Sequence, residues 1–186
     1  MKPQYYVDMD GVLAVWNQNA SEEETHEPGY FLNREVELSA VAFVRLLANK
    51  ASGKVSILSS VYEDDHSAEE KNIWLNRAGL ADLPRIFVPY GRDKHEFINT
   101  EDTLPVLIDD YSKNLRAWED EGYLAFKFMN GFNNQPKLKV VDGIVHVNAD
   151  SWEGYSIDRR MTPKQMLTLV TSVSNAVAEA AERESA

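Results

Sequence analysis

The sequence predicts an α/β fold: a mostly parallel, Rossmann-like sheet flanked by helices. Three observations point there. Short β-rich runs alternate with helical stretches through the first two thirds of the 186 residues. The runs at 54–58 and 104–108 read as strands buried on both faces, as parallel strands under helices are. Acidic and hydroxyl residues fall just after these runs, at the carboxyl ends of strands, where such sheets bind ligands.

The elements follow in order. Residues 4–7 form a short β-rich run that leads into an acidic loop. Over 38–50, Leu38, Val41, Val44, Leu47 and Ala48 recur at helical spacing, and Gly53 is the expected stop. Residues 54–58 are a strand running into Ser59 and Ser60. Ser67 with Glu70 three positions on is a capping-box pattern, opening a helix that reaches about Gly79. A strand at 85–88, a short helix at 94–98 and a strand at 104–108 ending in Asp109-Asp110 come next. A helix at 112–121 is stopped by Gly122, and 123–128 is a further strand. Then the alternation changes. Segments 138–141 and 144–147 flank Asp142-Gly143, a hairpin turn signal, and this hairpin is expected to extend the sheet. Thr162, Pro163 and Gln165 open a last helix with a cap, a first-turn proline and a capping-box partner. Met166, Val170, Val173 and Val177 give that helix a packing face, and the tail 182–186 is expected to fray.

This length suits one domain over 1–186, with about 15–37 as a small lid or loop and about 137–186 as hairpin plus helix. There is no cysteine, which excludes disulfides, thiolate metal sites and cysteine nucleophiles. No apolar run is long enough to span a bilayer, and the opening residues carry no secretory pattern, so a cytoplasmic location without a membrane partner is expected. The formal net charge of −11 repels DNA and RNA, so a long nucleic acid is not expected as partner. A small phosphorylated substrate remains compatible, because a few local cations and a metal override the global field.

The candidate chemistry rests on four groups of residues. Asp8 and Asp10 follow a short apolar strand and precede Gly11, which allows a sharp turn. Two such carboxylates can divide the labour, one attacking phosphorus and the other protonating the leaving oxygen. Asp-x-Asp-Gly is also found in surface turns and calcium loops, but Val12 and Leu13 do not supply the later calcium ligands. Asp109 and Asp110 end a buried strand, where a bound cation would satisfy both; a helix N-terminus favouring acids is the other reading. The Ser59 hydroxyl can donate to a phosphoryl oxygen or cap a turn. Lys94 can neutralise transition-state charge or simply be solvated. The histidines His26, His66, His95 and His146 show no metal-ligand spacing.

The order of these groups, Asp-x-Asp, strand-Ser, Lys, strand-Asp-Asp, resembles the four motifs of the haloacid dehalogenase superfamily. The resemblance covers roughly residues 5–122 and rests most firmly on Val7-Asp8-Met9-Asp10-Gly11-Val12-Leu13-Ala14 and Leu107-Ile108-Asp109-Asp110. It implies a superfamily core with a minimal cap, Asp8 as nucleophile forming an aspartyl-phosphate, and Asp10 as general acid and then base. It further implies that Ser59, with Ser60 beside it, and Lys94 hold phosphoryl oxygens, and that Mg²⁺ is held by Asp8, the Asp10 backbone carbonyl, Asp109 and Asp110. A receiver domain uses similar residues in another order, with lysine last.

Within the superfamily the chain is similar to 5′-nucleotidases of the deoxyribonucleotidase type, through Trp16 after the first motif and Lys71-Asn72-Ile73-Trp74. That likeness implies a nucleotide substrate whose base stacks on Trp16, with Lys71 supporting the phosphate. Val15 stands where the group often has Asp, and Ser59 where it usually has Thr. Residues 17–37 are too few for the group's helical cap and leave a more open site. A sugar phosphate or phosphoprotein substrate, or a catalytically silent binding protein on the same fold, are the alternatives.

Overall fold

The computed structural model describes residues 1–51, 54–133, 137–141, 144–148 and 152–184. In chain order the strands are β1 (Lys2–Val7), β2 (Val55–Val61), β3 (Arg85–Pro89), β4 (Thr103–Asp109), β5 (Leu124–Met129), β6 (Lys137–Val141), β7 (Ile144–Asn148) and β8 (Tyr155–Asp158). The helices are α1 (Glu22–Thr25), α2 (Leu38–Ala51), α3 (Ser67–Arg77), α4 (Ser112–Asp120) and α5 (Pro163–Glu184). Six strands form one sheet in the order β3-β2-β1-β4-β5-β8, with every pairing parallel.

The strand period of two divides the core. Tyr5, Val7, Ile57, Val106, Ile108, Phe126 and Phe128 face one side and pack with Phe43, Val44 and Leu47 of α2 and Met166 and Val170 of α5. Tyr6, Leu58, Leu107 and Ala125 face the other side and pack with Leu115 and Trp118 of α4. Both faces are therefore covered, which is why the strands are apolar throughout rather than alternating. The chain winds outward one way from β1 through β2 to β3 and the other way from β4 to β5, so the switch point lies between β1 and β4.

Several expectations change. The hairpin does not extend the sheet: β6 and β7 pair antiparallel as a separate two-stranded sheet, and the sixth place is taken by β8, parallel to β5. Four residues with alternating polarity, Tyr155 to Asp158, carry little strand signal; their place comes from register against Phe126–Met129. The Ser67/Glu70 capping box is not formed. His66 is the N-cap residue of α3, and Asp64 Oδ1 accepts from the His66 and Ser67 backbone N–H groups at 3.1 and 2.6 Å. The Thr162/Gln165 box does form, with Thr162 N–H donating to Gln165 Oε1 at 2.8 Å and Gln165 N–H to Thr162 Oγ1 at 3.3 Å. The lid contains the single-turn helix α1, closed by a Ser21/Glu24 capping box, and a 3-10 turn at Phe31–Asn33. Helix α5 continues through Glu184. Gly53, Asp142, Gly143 and residues 185–186 lie outside the described residues. Among the described residues no helix is long and apolar enough to cross a membrane.

Candidate functional site

The site forms at the switch point. β1 and β4 run side by side with Val7 opposite Ile108, and the Asp8 N–H donates to the Ile108 carbonyl at 2.9 Å. That register carries Asp8 and Asp109 off adjacent strand ends together. Past Asp8 the chain closes a tight loop, with Leu13 and Ala14 N–H groups both donating to the Met9 carbonyl at 2.9 and 2.8 Å. Gly11 takes φ +78° there, in the left-handed region, and a methyl group on it would lie 2.2 Å from Asp110 Oδ2. Glycine thus serves two needs at once: the turn, and the close approach of the Asp110 carboxyl.

Lys94 anchors the cluster. It is 3% exposed, and its ammonium sits 2.8 Å from Asp8 Oδ1 and 2.7 Å from Asp109 Oδ2. Asp109 is fully buried and well supplied: its Oδ1 accepts from the Tyr111 N–H at 2.8 Å and its Oδ2 from Asn114 Nδ2 at 3.0 Å. Asp8 is not. Its Oδ1 is buried in ion contact with Lys94 but without an aligned hydrogen-bond donor. Burial pushes the Asp8 carboxyl up to about 6 against the pull of Lys94, with Asp109 and Asp10 adding to the rise. Burial likewise drives Asp110 upward, reinforced by Asp109 and Asp8. For Lys94, burial opposes its charge, but Asp109 and Asp8 outweigh that and hold it above the ordinary lysine value.

Asp8, Asp109 and Asp110 each offer an oxygen, and these oxygens lie within 4.8 Å of one another. Three crowded carboxylates, one with an unaligned buried oxygen, are what a hard divalent cation satisfies: all the donors are oxygen, and the excess charge is negative. The residues present therefore fit such an ion.

Lys71 organises the other half of the site. It is 1% exposed, and its ammonium donates to Asp10 Oδ2 at 2.5 Å, Ser59 Oγ at 3.1 Å and the Ser60 carbonyl at 2.5 Å. The face of Phe31 lies 4.3 Å from the same nitrogen. Sequence reasoning treated Glu70 as a cap. In the fold its carboxylate instead accepts from lid backbone N–H groups, those of Gly29, Phe31 at 3.2 Å and Leu32 at 3.4 Å. Neighbouring residues of α3 therefore hold the lid and the second aspartate of the first motif.

Asp8, Asp10, Ser59, Lys71, Lys94, Asp109 and Asp110 are thus brought together; Ser60 joins through its backbone. Trp16 is neither core nor part of this cluster: it stands 44% exposed on the loop beyond Ala14. His26 stacks on Tyr62 with ring centroids 3.9 Å apart, and His66 and His95 lie beside Asp64 and Glu121. The His146 side chain lies outside what is described. Several residues gave no signal in the sequence. Tyr62 packs with His26, Phe31 and Tyr90. Burial raises the phenols of Tyr30, against the pull of Arg34, and of Tyr62, against the Thr25 hydroxyl. Phe31, under the Lys71 ammonium, packs against both Tyr30 and Tyr62. Asn130 and Asn133, just after β5, bind Asp110. Aromatic and asparagine side chains scattered over a sequence have no spacing to betray such convergence.

In comparison with known proteins, no protein-family model matches the chain and no curated protein is significantly similar to it.

Proposed function

We propose that the protein is a Mg²⁺-dependent phosphomonoester hydrolase of the haloacid dehalogenase type, working through Asp8. The observation that carries this reading is the convergence of Asp8, Asp10, Asp109 and Asp110 with two buried lysines and Ser59 at the carboxyl ends of β1, β2 and β4.

The Asp8 carboxylate attacks phosphorus, and the ester P–O bond breaks as the aspartyl–phosphate bond forms. A proton carried in on the substrate's phosphate passes through the Asp10 carboxylate to the leaving oxygen. Asp10 then takes a proton from water, whose oxygen attacks the phosphorus and releases inorganic phosphate and free Asp8. Lys71 keeps Asp10 from swinging away between the two steps and aligns the Ser59 hydroxyl, which with Ser60 and Lys94 serves the phosphoryl oxygens. Asp8, Asp109, Asp110 and the Asp10 carbonyl would hold Mg²⁺, which would supply the positive charge that offsets repulsion between carboxylate and phosphate.

The substrate of this reading is a nucleoside or deoxynucleoside monophosphate. An exposed Trp16 is free to stack on a base, and the Tyr30 and Tyr62 rings packed on Phe31 beside Lys71 offer apolar surface for the leaving nucleoside. A cytoplasmic location belongs to the same reading, since a cysteine-free chain suits a reducing compartment.

Phosphate release with Mg²⁺, measured over nucleoside monophosphates, sugar phosphates and a phosphopeptide, tests this. Nucleotide turnover that disappears in Asp8→Asn is expected. Turnover of other phosphates alone would discard the nucleotide and keep the chemistry. Undiminished turnover by Asp8→Asn, or turnover in excess chelator, would overturn the mechanism.

A further inference from the structure

We infer that Asn130 is a positioning residue that sets the Asp110 carboxylate for cation binding; this rests on the reading of Asp8, Asp109 and Asp110 as a cation site. Asn130 follows β5 and is 4% exposed. Its Nδ2 donates to Asp110 Oδ2 at 2.9 Å and to the Gly11 carbonyl at 3.2 Å. Its Oδ1 accepts from the Phe132 and Asn133 N–H groups at 3.0 and 3.2 Å. The amide is thus used on both ends, with no freedom to flip.

The need for such a clamp follows from charge. Asp110 lies among Asp8, Asp109 and Asp10, all acidic, and repulsion favours swinging its carboxyl outward. Gly11 bounds that carboxyl on one side, and the positive edge of the Asn130 amide holds it there. Because the same NH₂ group also binds the Gly11 carbonyl, it ties the loop after β1 to the loop after β4. The clamp is itself braced. Arg159 Nη1 donates to the Asn130 carbonyl at 3.0 Å, and Arg159 Nη2 lies 2.7 Å from Glu37 Oε2. Asn133 Nδ2 fixes the Asp110 backbone by donating to its carbonyl at 2.9 Å.

The two ends of the Asn130 amide do different things, which makes the inference separable from a turn-stapling role. Asn130→Ser keeps a side-chain acceptor for the turn N–H groups but is too short to reach Asp110. Phe132→Ala alters the same turn at a side chain that stands 37% exposed. Binding of Mn²⁺ to each purified, substrate-free protein is read from the loss of the free-ion electron paramagnetic resonance signal, with circular dichroism checking the fold. A partner that orients a metal-ligating carboxylate is worth roughly 10–100-fold in affinity. Asn130→Ser should therefore raise the Mn²⁺ dissociation constant at least about tenfold, with Phe132→Ala staying within about threefold. If Asn130→Ser does not fold, Asn130→Thr, which keeps the acceptor and fills more space, gives the same comparison. Wild-type binding matched within about twofold by Asn130→Ser, or lost equally in Phe132→Ala, overturns the inference alone. No Mn²⁺ binding by the wild type removes the cation site and takes the inference with it.

Discussion

Replacing Lys71 with methionine removes one ammonium and leaves a side chain of similar reach in its place. The Ser60 carbonyl loses a donor, the Ser59 hydroxyl loses a partner, and Asp10 loses its counter-charge. Stripping one partner from a buried ion pair costs ~3–5 kcal/mol, and an orphaned buried acceptor ~1–3 kcal/mol. The Asp10 side chain is 23% exposed, so water recovers part of its loss. The net cost is about 3 kcal/mol, which for a chain of this size lowers Tm by about 6–12 °C. Thermal unfolding of Lys71→Met, Asp10→Asn and the double variant measures it without any substrate. The double variant should be more stable than the sum of the two losses implies by at least about 1 kcal/mol, because a neutral Asn no longer needs the lysine. A Tm change under about 2 °C, or additivity within about 0.5 kcal/mol, would refute the claim that Lys71 holds Asp10.

Three further outcomes are expected. The folded Asp8 carboxyl, raised to about 6, binds protons that the unfolded chain releases nearer pH ~4, so its ionisation costs stability as pH rises through that window. In chelator, Asp8→Asn should accordingly have a higher Tm than wild type at pH 7, with the gap closing toward pH 4; equal Tm values at pH 7 would contradict the burial argument. Gly11→Ala should lose ~2–5 kcal/mol in urea unfolding, combining left-handed backbone strain with the clash against Asp110. Gly79→Ala, also at φ +78° but with open space around it, should show only the backbone share, and equal losses would remove the clash. Trp16→Ala should raise KM for nucleotides far more than for a simple aryl phosphate, with equal rises counting against stacking.

The parts of the fold that local pattern dictates could be read from the chain. Buried parallel strands are apolar runs, and α2 and α5 carry their packing stripes in plain sequence. The aspartate pairs were legible because strand ends are where a parallel sheet gathers its chemistry. What escaped notice depends on distance in sequence. β8 exists because β5 offers it an edge, not because Tyr155 to Asp158 favour extension. Ser67 and Glu70 satisfy a capping pattern, yet Asp64 takes the cap and Glu70 reaches the lid, since three backbone donors outbid one. Asn130 meets Gly11 from 119 positions away. No window along the chain contains that pairing.

The base of the lid has a consequence for how such a protein can change. Val15 N–H bonds the Glu35 carbonyl at 2.8 Å, and Glu37 N–H bonds the Leu13 carbonyl at 2.7 Å, with Ala14 bridged antiparallel to Val36. These rungs close a stem, and everything between them hangs from it. Lengthening a loop that is already closed is inexpensive, about 0.6 kcal/mol for each doubling. Descendants of this chain could therefore exchange the whole hanging segment for a larger one, or trim it, while the turn at Gly11 below the stem keeps its shape. Selectivity and chemistry would then evolve on separate pieces of backbone, joined at a hinge two rungs wide.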